Sequence, residues 1–151
     1  MVSRNFLLFL ALLLLFSLFY GCVEIQEFML EQKAKEYFYS LSREEIGNNM
    51  YMDPDVFVLA KTESMNSKEY SFSTRYECEY STSGKCFMTT EEFNELNEKI
   101  YVYYFELDME KLPVGDGYGR VILKENGKPI VYYYNGYLVN HYPGYLVNHL
   151  H

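Results

Sequence analysis

The chain has no tryptophan, only 13 basic side chains against 21 acidic ones, and no sequence motif of a known catalytic class. Each shortage excludes something. With a net charge of −8, the chain repels nucleic acid and anionic lipid head groups, so no nucleic-acid partner is expected. No Walker-type phosphate loop occurs, and no serine or cysteine sits in a nucleophile motif. Gly115-Asp116-Gly117-Tyr118-Gly119 is glycine-rich, but it does not stand between a strand and a helix as a dinucleotide site requires. It reads as a flexible loop. There is no Asn-x-Ser/Thr sequon. The three histidines, His141, His149 and His151, all fall in the last eleven residues and read as a solvated tail rather than a metal site. The sequence therefore predicts no catalytic residues, no metal and no cofactor; the protein is expected not to be an enzyme.

What is abundant is tyrosine, at 17 residues, and one long apolar run. Tyrosine packs with its ring and hydrogen-bonds with its hydroxyl, so a tyrosine-rich chain can bury one ring face and leave the other end wet. The apolar run is Phe6–Tyr20, broken only by Ser17, preceded by Arg4 and followed by Gly21-Cys22. A short basic start, an apolar core and a small residue before the cut describe a secretory signal. Alone the run is shorter than the ~20 residues a spanning helix needs, although extended to Val23 it reaches the lower bound of about 17. Leu18-Phe19-Tyr20-Gly21-Cys22 resembles the lipobox of prokaryotic lipoproteins. That resemblance implies cleavage before Cys22, diacylation of its thiol, and attachment to the extracytoplasmic face of the cell membrane through lipid. Two acyl chains suffice for stable anchoring. An uncleaved single-pass helix is the alternative, with Cys22 an ordinary cysteine at its end. The expected division is a signal peptide at 1–21, one extracytoplasmic domain at 22–134, and a C-terminal tail at 135–151.

Without residues 1–21 the chain keeps 130 residues, enough for one domain with its own core, and its charge becomes −9 because Arg4 is lost. If Cys22 carries lipid, Cys78 and Cys86 remain as a pair flanking a polar, turn-like segment. A disulfide fits a compartment outside the reducing cytoplasm. Two free thiols, or two ligands of a metal site with no further ligands nearby, are the other readings.

In chain order, Val23–Gly47 reads as a helix with Leu30, Ala34, Tyr37, Phe38 and Leu41 on one stripe, stopped by Gly47-Asn48-Asn49. Asp55–Thr62 reads as a buried strand. Tyr70–Tyr80 alternates apolar and polar residues with period two and reads as a strand. It would put Cys78 on the apolar face, with Arg75, Glu77 and Glu79 in a row as surface ion-pairing groups rather than a catalytic acid and base. Thr89 and Glu92 have capping-box spacing ahead of a short helix with Phe93, Leu96 and Ile100 on its stripe. Ile100–Leu107, aromatic and β-branched, predicts a central strand. Arg120–Lys124 and Pro129–Tyr134 flank Glu125-Asn126-Gly127-Lys128, the strongest hairpin signal in the chain. Asp53/Asp55 and Asp108/Glu110 read as turn residues. In the tail, Gly136-Tyr137-Leu138-Val139-Asn140-His141 recurs as Gly144-Tyr145-Leu146-Val147-Asn148-His149. Two copies are too few for a solenoid, and a slip duplication with a peripheral second copy is expected.

The order predicts an α+β fold in which an N-terminal helix lies on an antiparallel sheet of about five strands, with a second helix inserted before the central strand. In that order the chain loosely resembles cystatin-like and NTF2-like folds, which implies a binding role for the sheet's concavity. Fold alone does not fix function. Three functional classes follow: a surface-tethered module binding a small molecule or a protein, a structural or envelope accessory protein with an exposed tyrosine patch, and a hydrolase, for which no converging acid, base and oxyanion donors are visible.

Overall fold

In the computed structural model, residues 4–47, 50–113 and 115–138 are described. The chain divides into Met1–Lys33 and Ala34–His151. A single helix, α1 (Arg4–Tyr39), supplies all the described residues of the first unit and enters the second. It is the one described helix long and apolar enough to cross a membrane. Its large apolar side chains between Phe6 and Tyr20 are all exposed, from Leu10 at 44 % to Tyr20 at 72 %.

The helix expected over Val23–Gly47 is thus the second half of a longer one, and it stops earlier, at Tyr39. The apolar stripe explains the stop. Leu30, Ala34, Phe38 and Leu41 are buried, but Ser42, Arg43, Glu44 and Glu45 offer no further apolar rung. The last turn tightens, with the Ser40 amide reaching both Glu36 O (3.1 Å) and Tyr37 O (3.3 Å). Glu44–Gly47 (β1) then pairs antiparallel with Met50–Met52 (β2), so the expected helix terminus lies in a strand.

The second unit is built on five strands: β3 (Phe57–Asn66), β4 (Ser83–Cys86), β5 (Lys99–Leu107), β6 (Gly115–Lys124) and β7 (Pro129–Leu138). They form one antiparallel sheet in the order β3-β5-β6-β7-β4. With its helices this is the α+β architecture that the element order implied. β5 is interior, as expected, with Ile100, Tyr101, Val102, Tyr103 and Phe105 all buried. The β6–β7 hairpin forms at the Asn126-Gly127 signal. Gly127 takes φ 79°, and its amide donates to Lys124 O at 2.8 Å. The short helix α2 (Thr90–Glu95) is held by the capping box. Thr89 N donates to Glu92 Oε2 (2.7 Å), and Glu92 N donates to Thr89 Oγ1 (3.2 Å). Asp53 and Asp108 do terminate turns, accepting from the amides of Asp55 and Glu110 at 3.1 Å each.

Cross-strand partners share a face of the sheet, and the two faces have different covers. One face receives the end of α1. The Phe38 ring stacks on Phe105 (centroids 3.8 Å, interplanar 1°) and meets Phe57 edge-on at 5.5 Å, while Tyr37 stacks on Tyr132 at 5.3 Å. Tyr134 lies fully buried on this face. Its hydroxyl donates to the carbonyls of Ser42 (2.6 Å) and Met52 (3.0 Å), which pins the segment after α1.

Gly115–Gly119, expected as a flexible loop, is the first half of β6. Gly117 and Gly119 face the α1 side, next to Gly136 of β7, which pairs with Gly117. Large side chains from elsewhere occupy the room their missing Cβ atoms leave. A Cβ on Gly119 would stand 2.6 Å from Phe38 Cζ. One on Gly117 would stand 3.2 Å from the Phe57 ring, and one on Gly136 would stand 2.5 Å from Met52 Cε. These glycines form a trough in the sheet, and their function is close approach rather than mobility.

The opposite face is covered by the connection between β3 and β5. Phe72, Phe93, Ile100, Val102, Ile122, Val131 and Tyr133 make its core. Tyr70–Tyr80, expected as a strand, is instead an irregular stretch followed by a π-helical turn, Arg75–Glu79. The Glu77 amide bonds to Ser73 O (3.0 Å) and the Tyr80 amide to Arg75 O (3.0 Å). The alternating aromatics do not share a face. Tyr70 and Phe72 pack inward, while Tyr76 and Tyr80 are 68 % and 57 % exposed.

The Cys78–Cys86 disulfide ties this turn to β4, with Cα atoms 6.1 Å apart. Across so short a separation, eight residues, the chain must reverse, which a continuous strand through Cys78 does not allow. The bridge closes off unfolded-state freedom worth about 2.5 kcal/mol in the chain-entropy model. Accordingly, Cys78→Ser with Cys86→Ser is expected to lower the unfolding free energy measured in urea by that amount while leaving the sheet's far-ultraviolet signal unchanged.

The first three residues of the repeated hexamer, Gly136-Tyr137-Leu138, belong to β7, so the strand continues into the expected tail. The remainder of the first copy, the whole second copy and the three histidines lie outside the described residues.

Candidate functional site

Chemistry concentrates where the cover of the second face ends. Glu77, expected on the surface beside Arg75, is buried at 6 % exposure. Its Oε1 accepts from the Tyr70 hydroxyl at 3.0 Å, and its Oε2 has no hydrogen-bond partner among the described residues. Burial pushes its carboxyl up to about 7, against the opposing pull of the Tyr70 hydroxyl, the Ser73 backbone and Arg120. Burial, then the nearby Glu77 charge, raises the Tyr70 and Tyr133 hydroxyls as well. Arg75 turns away from Glu77: its Nε donates to the Tyr80 hydroxyl at 2.6 Å, and its guanidinium lies 5.1 Å from that ring's centroid. The expected ion-paired row is therefore not formed.

Beyond Glu77 the sheet emerges from its cover. Arg120 marks the border. Its guanidinium lies over the rings of Tyr104 (4.3 Å) and Tyr118 (5.2 Å), and Nη1 donates to Gly119 O at 2.7 Å. It makes no ion pair with a described carboxylate. The tyrosines around it are held by their hydroxyls. Tyr104 donates to Glu63 Oε2 (2.6 Å), Tyr118 accepts from Asn135 Nδ2 (3.1 Å), and Tyr137 donates to Asp116 Oδ2 (2.8 Å). Burial first, and the Glu63 carboxylate second, push the Tyr104 hydroxyl up to about 12. Glu63 is also paired with Lys61.

The same preference recurs across the surface. Arg43 lies over Tyr51, Lys61 over Tyr104, Lys85 over Tyr132 and Lys99 over Tyr101, at 4.7–5.9 Å.

Cys22, the expected lipid-bearing residue, is a free and exposed thiol inside α1, and the helix runs through Gly21-Cys22 without a break. Among the described residues no three His, Cys, Asp or Glu side chains gather as metal ligands. The tyrosine–arginine site was not foreseen from the sequence, because residues 115–119 read as a loop. Once they are placed in a strand, the alternation Asp116, Tyr118, Arg120 is its signal.

The class these observations define is an α+β unit following a long apolar N-terminal helix. Comparison with protein-family models, with curated proteins and with solved structures yields no match, so the likeness to cystatin-like and NTF2-like folds rests on element order alone.

Proposed function

We propose that the chain is an extracytoplasmic lipoprotein, held at the cell membrane through acylated Cys22, whose folded unit is a binding module for a small-molecule or protein ligand. The observation that carries this reading is the joining of two features in one chain. An apolar helix with nothing buried against its apolar window precedes a unit closed by the Cys78–Cys86 bridge. Exposed apolar surface on that scale needs lipid around it, and a disulfide persists outside the reducing cytoplasm. The exposed Cys22 thiol, next to Gly21, is accessible to modification. The preorganised tyrosine–arginine surface supports a binding role.

The unbroken passage of α1 through Gly21-Cys22 favours a second reading, an uncut single-pass anchor with a structural or envelope accessory role. Intact mass of the membrane fraction, from full-length expression in a prokaryotic host, separates the two. A chain beginning at Cys22, heavier by its acyl chains and lighter by two hydrogens for the bridge, is the expected result. A full-length unacylated chain would overturn the lipoprotein reading in favour of the spanning helix.

A further inference from the structure

The open end of the sheet carries an oblique stripe of three tyrosines, one on each of three adjacent strands. Tyr104 of β5 stands opposite Arg120 of β6; Tyr118 is two residues before Arg120; Tyr137 of β7 stands opposite Asp116, two residues further in the same direction. All three side chains lie on the same face, at diagonal spacings that long side chains bridge, about 7–8 Å. Tyr118 is 42 % and Tyr137 53 % exposed, whereas Tyr104 is partly buried against the core of this face with Arg120 and Lys61 over its ring, so Tyr118 and Tyr137 present the open rings.

The residues flanking the stripe are sorted by hydrogen-bonding sense. On one side stand the donors Arg120 and, opposite Tyr118 on β7, Asn135. On the other stand the acceptors Asp116 and, opposite Tyr118 on β5, Glu106. Each ring is fixed through its hydroxyl by a neighbour, Glu63, Asn135 or Asp116, so little conformational freedom remains to be lost on binding. With the guanidinium on one edge and the carboxylates on the other, both signs of charge border the stripe and neither is selected alone.

A ligand matching this surface has flat apolar patches for the rings and hydroxyls along both edges, able to accept on one side and donate on the other. It is neutral and extended. We infer that the Tyr118–Tyr137 end of this stripe is a binding platform for a neutral glycan chain, with Arg120 and Asn135 donating to sugar hydroxyls along one edge and Glu106 and Asp116 accepting from them along the other. This rests on the binding-module reading and specifies its ligand class. The acidic edge, Glu106 and Asp116, counts against a protein partner, because interface centres are depleted of Glu and Asp although enriched in Tyr and Arg.

The test uses the full-length protein in a detergent without a sugar head group, titrated calorimetrically with neutral hexasaccharides of β-1,4-glucose, β-1,4-N-acetylglucosamine and α-1,4-glucose, and with the corresponding monosaccharides. At least one hexasaccharide binds, and more tightly than its monosaccharide. Tyr118→Ala and Tyr137→Ala each weaken that binding by about tenfold, the scale of one lost aromatic contact, with unchanged thermal unfolding. Tyr76→Ala, on the exposed π-helical turn, leaves it within about twofold, a difference too small to assign to one contact. No binding by any of the three, or binding that neither platform variant weakens, would overturn the proposal. A photo-crosslinking residue in place of Tyr137 then separates the two levels of failure. A discrete protein adduct on the membrane, with no glycan affinity, removes the glycan and keeps the binding module; neither glycan affinity nor adduct removes both.

Discussion

Gly119→Val lowers the stability of the folded unit by about 3 kcal/mol, the upper range for forcing extra atoms into a packed core. The Cβ alone would stand 2.6 Å from Phe38 Cζ and 3.0 Å from the Tyr133 carbonyl oxygen. Neither neighbour can retreat. Phe38 is wholly buried and stacked on Phe105, and the Tyr133 carbonyl belongs to the β6–β7 ladder. Phe38→Ala by itself costs about 3–5 kcal/mol, the range for emptying a phenylalanine site in a core. Together the two substitutions cost less than their sum, by about 1–3 kcal/mol, because the removed ring vacates the volume the valine needs. Urea unfolding of the four proteins, followed by tyrosine near-ultraviolet dichroism, measures the coupling. Strict additivity would mean that ring and glycine do not share that space.

As pH rises from about 4.5 to about 7, Glu77 withdraws about 3 kcal/mol of stability. In the folded protein its carboxyl keeps its proton up to about 7; in the unfolded chain it releases the proton near 4.5. Within that window the folded state binds more protons, so raising the pH favours unfolding. Below the window the contribution is complete, and above it is lost. The physical source is burial of the carboxyl, whose Oε2 has no hydrogen-bond partner among the described residues. Glu77→Gln keeps an acceptor for the Tyr70 hydroxyl and removes the titration. The difference in unfolding free energy between wild type and variant, measured at pH 4.5, 6 and 8, isolates this one group from the other acidic side chains. It is expected to move in favour of the variant with rising pH. A difference that stays constant across the three values would sink the assignment.

Where the sequence was legible, the signals were local. The capping box at Thr89 and Glu92, the Asn126-Gly127 hairpin and the aromatic β5 each draw their stability from neighbours within a few residues, and all three formed as read. The paired cysteines, the five-strand sheet and the α+β class were legible too. What was not legible depended on distant partners. The alternation from Tyr70 to Tyr80 is a sound strand pattern, but Cys78 must meet Cys86 and Glu77 must reach Tyr70, which bends the segment into a turn. The glycines of residues 115–119 look like a loop until Phe38 and Phe57 are seen filling the space they leave, and those residues lie far away in sequence. The stop of α1 at Tyr39 was hidden because Glu44–Gly47 is claimed by Met50–Met52, a pairing too short to announce itself. The glycan platform was invisible for the same reason as the trough: both are properties of β6 as a strand.

Six of the thirteen basic side chains, Arg43, Lys61, Arg75, Lys85, Lys99 and Arg120, lie over tyrosine rings. The quadrupole of a ring has no net charge, so this contact leaves each cation's charge in place, and Lys61 also pairs with the Glu63 carboxylate. With 21 acidic residues against 13 basic ones, the excess negative charge repels itself across a small surface. Dissolved salt screens that repulsion over roughly 8–10 Å at physiological strength and barely touches a guanidinium lying against a ring. Ionic strength therefore tightens this fold, where it would loosen one held together by surface ion pairs.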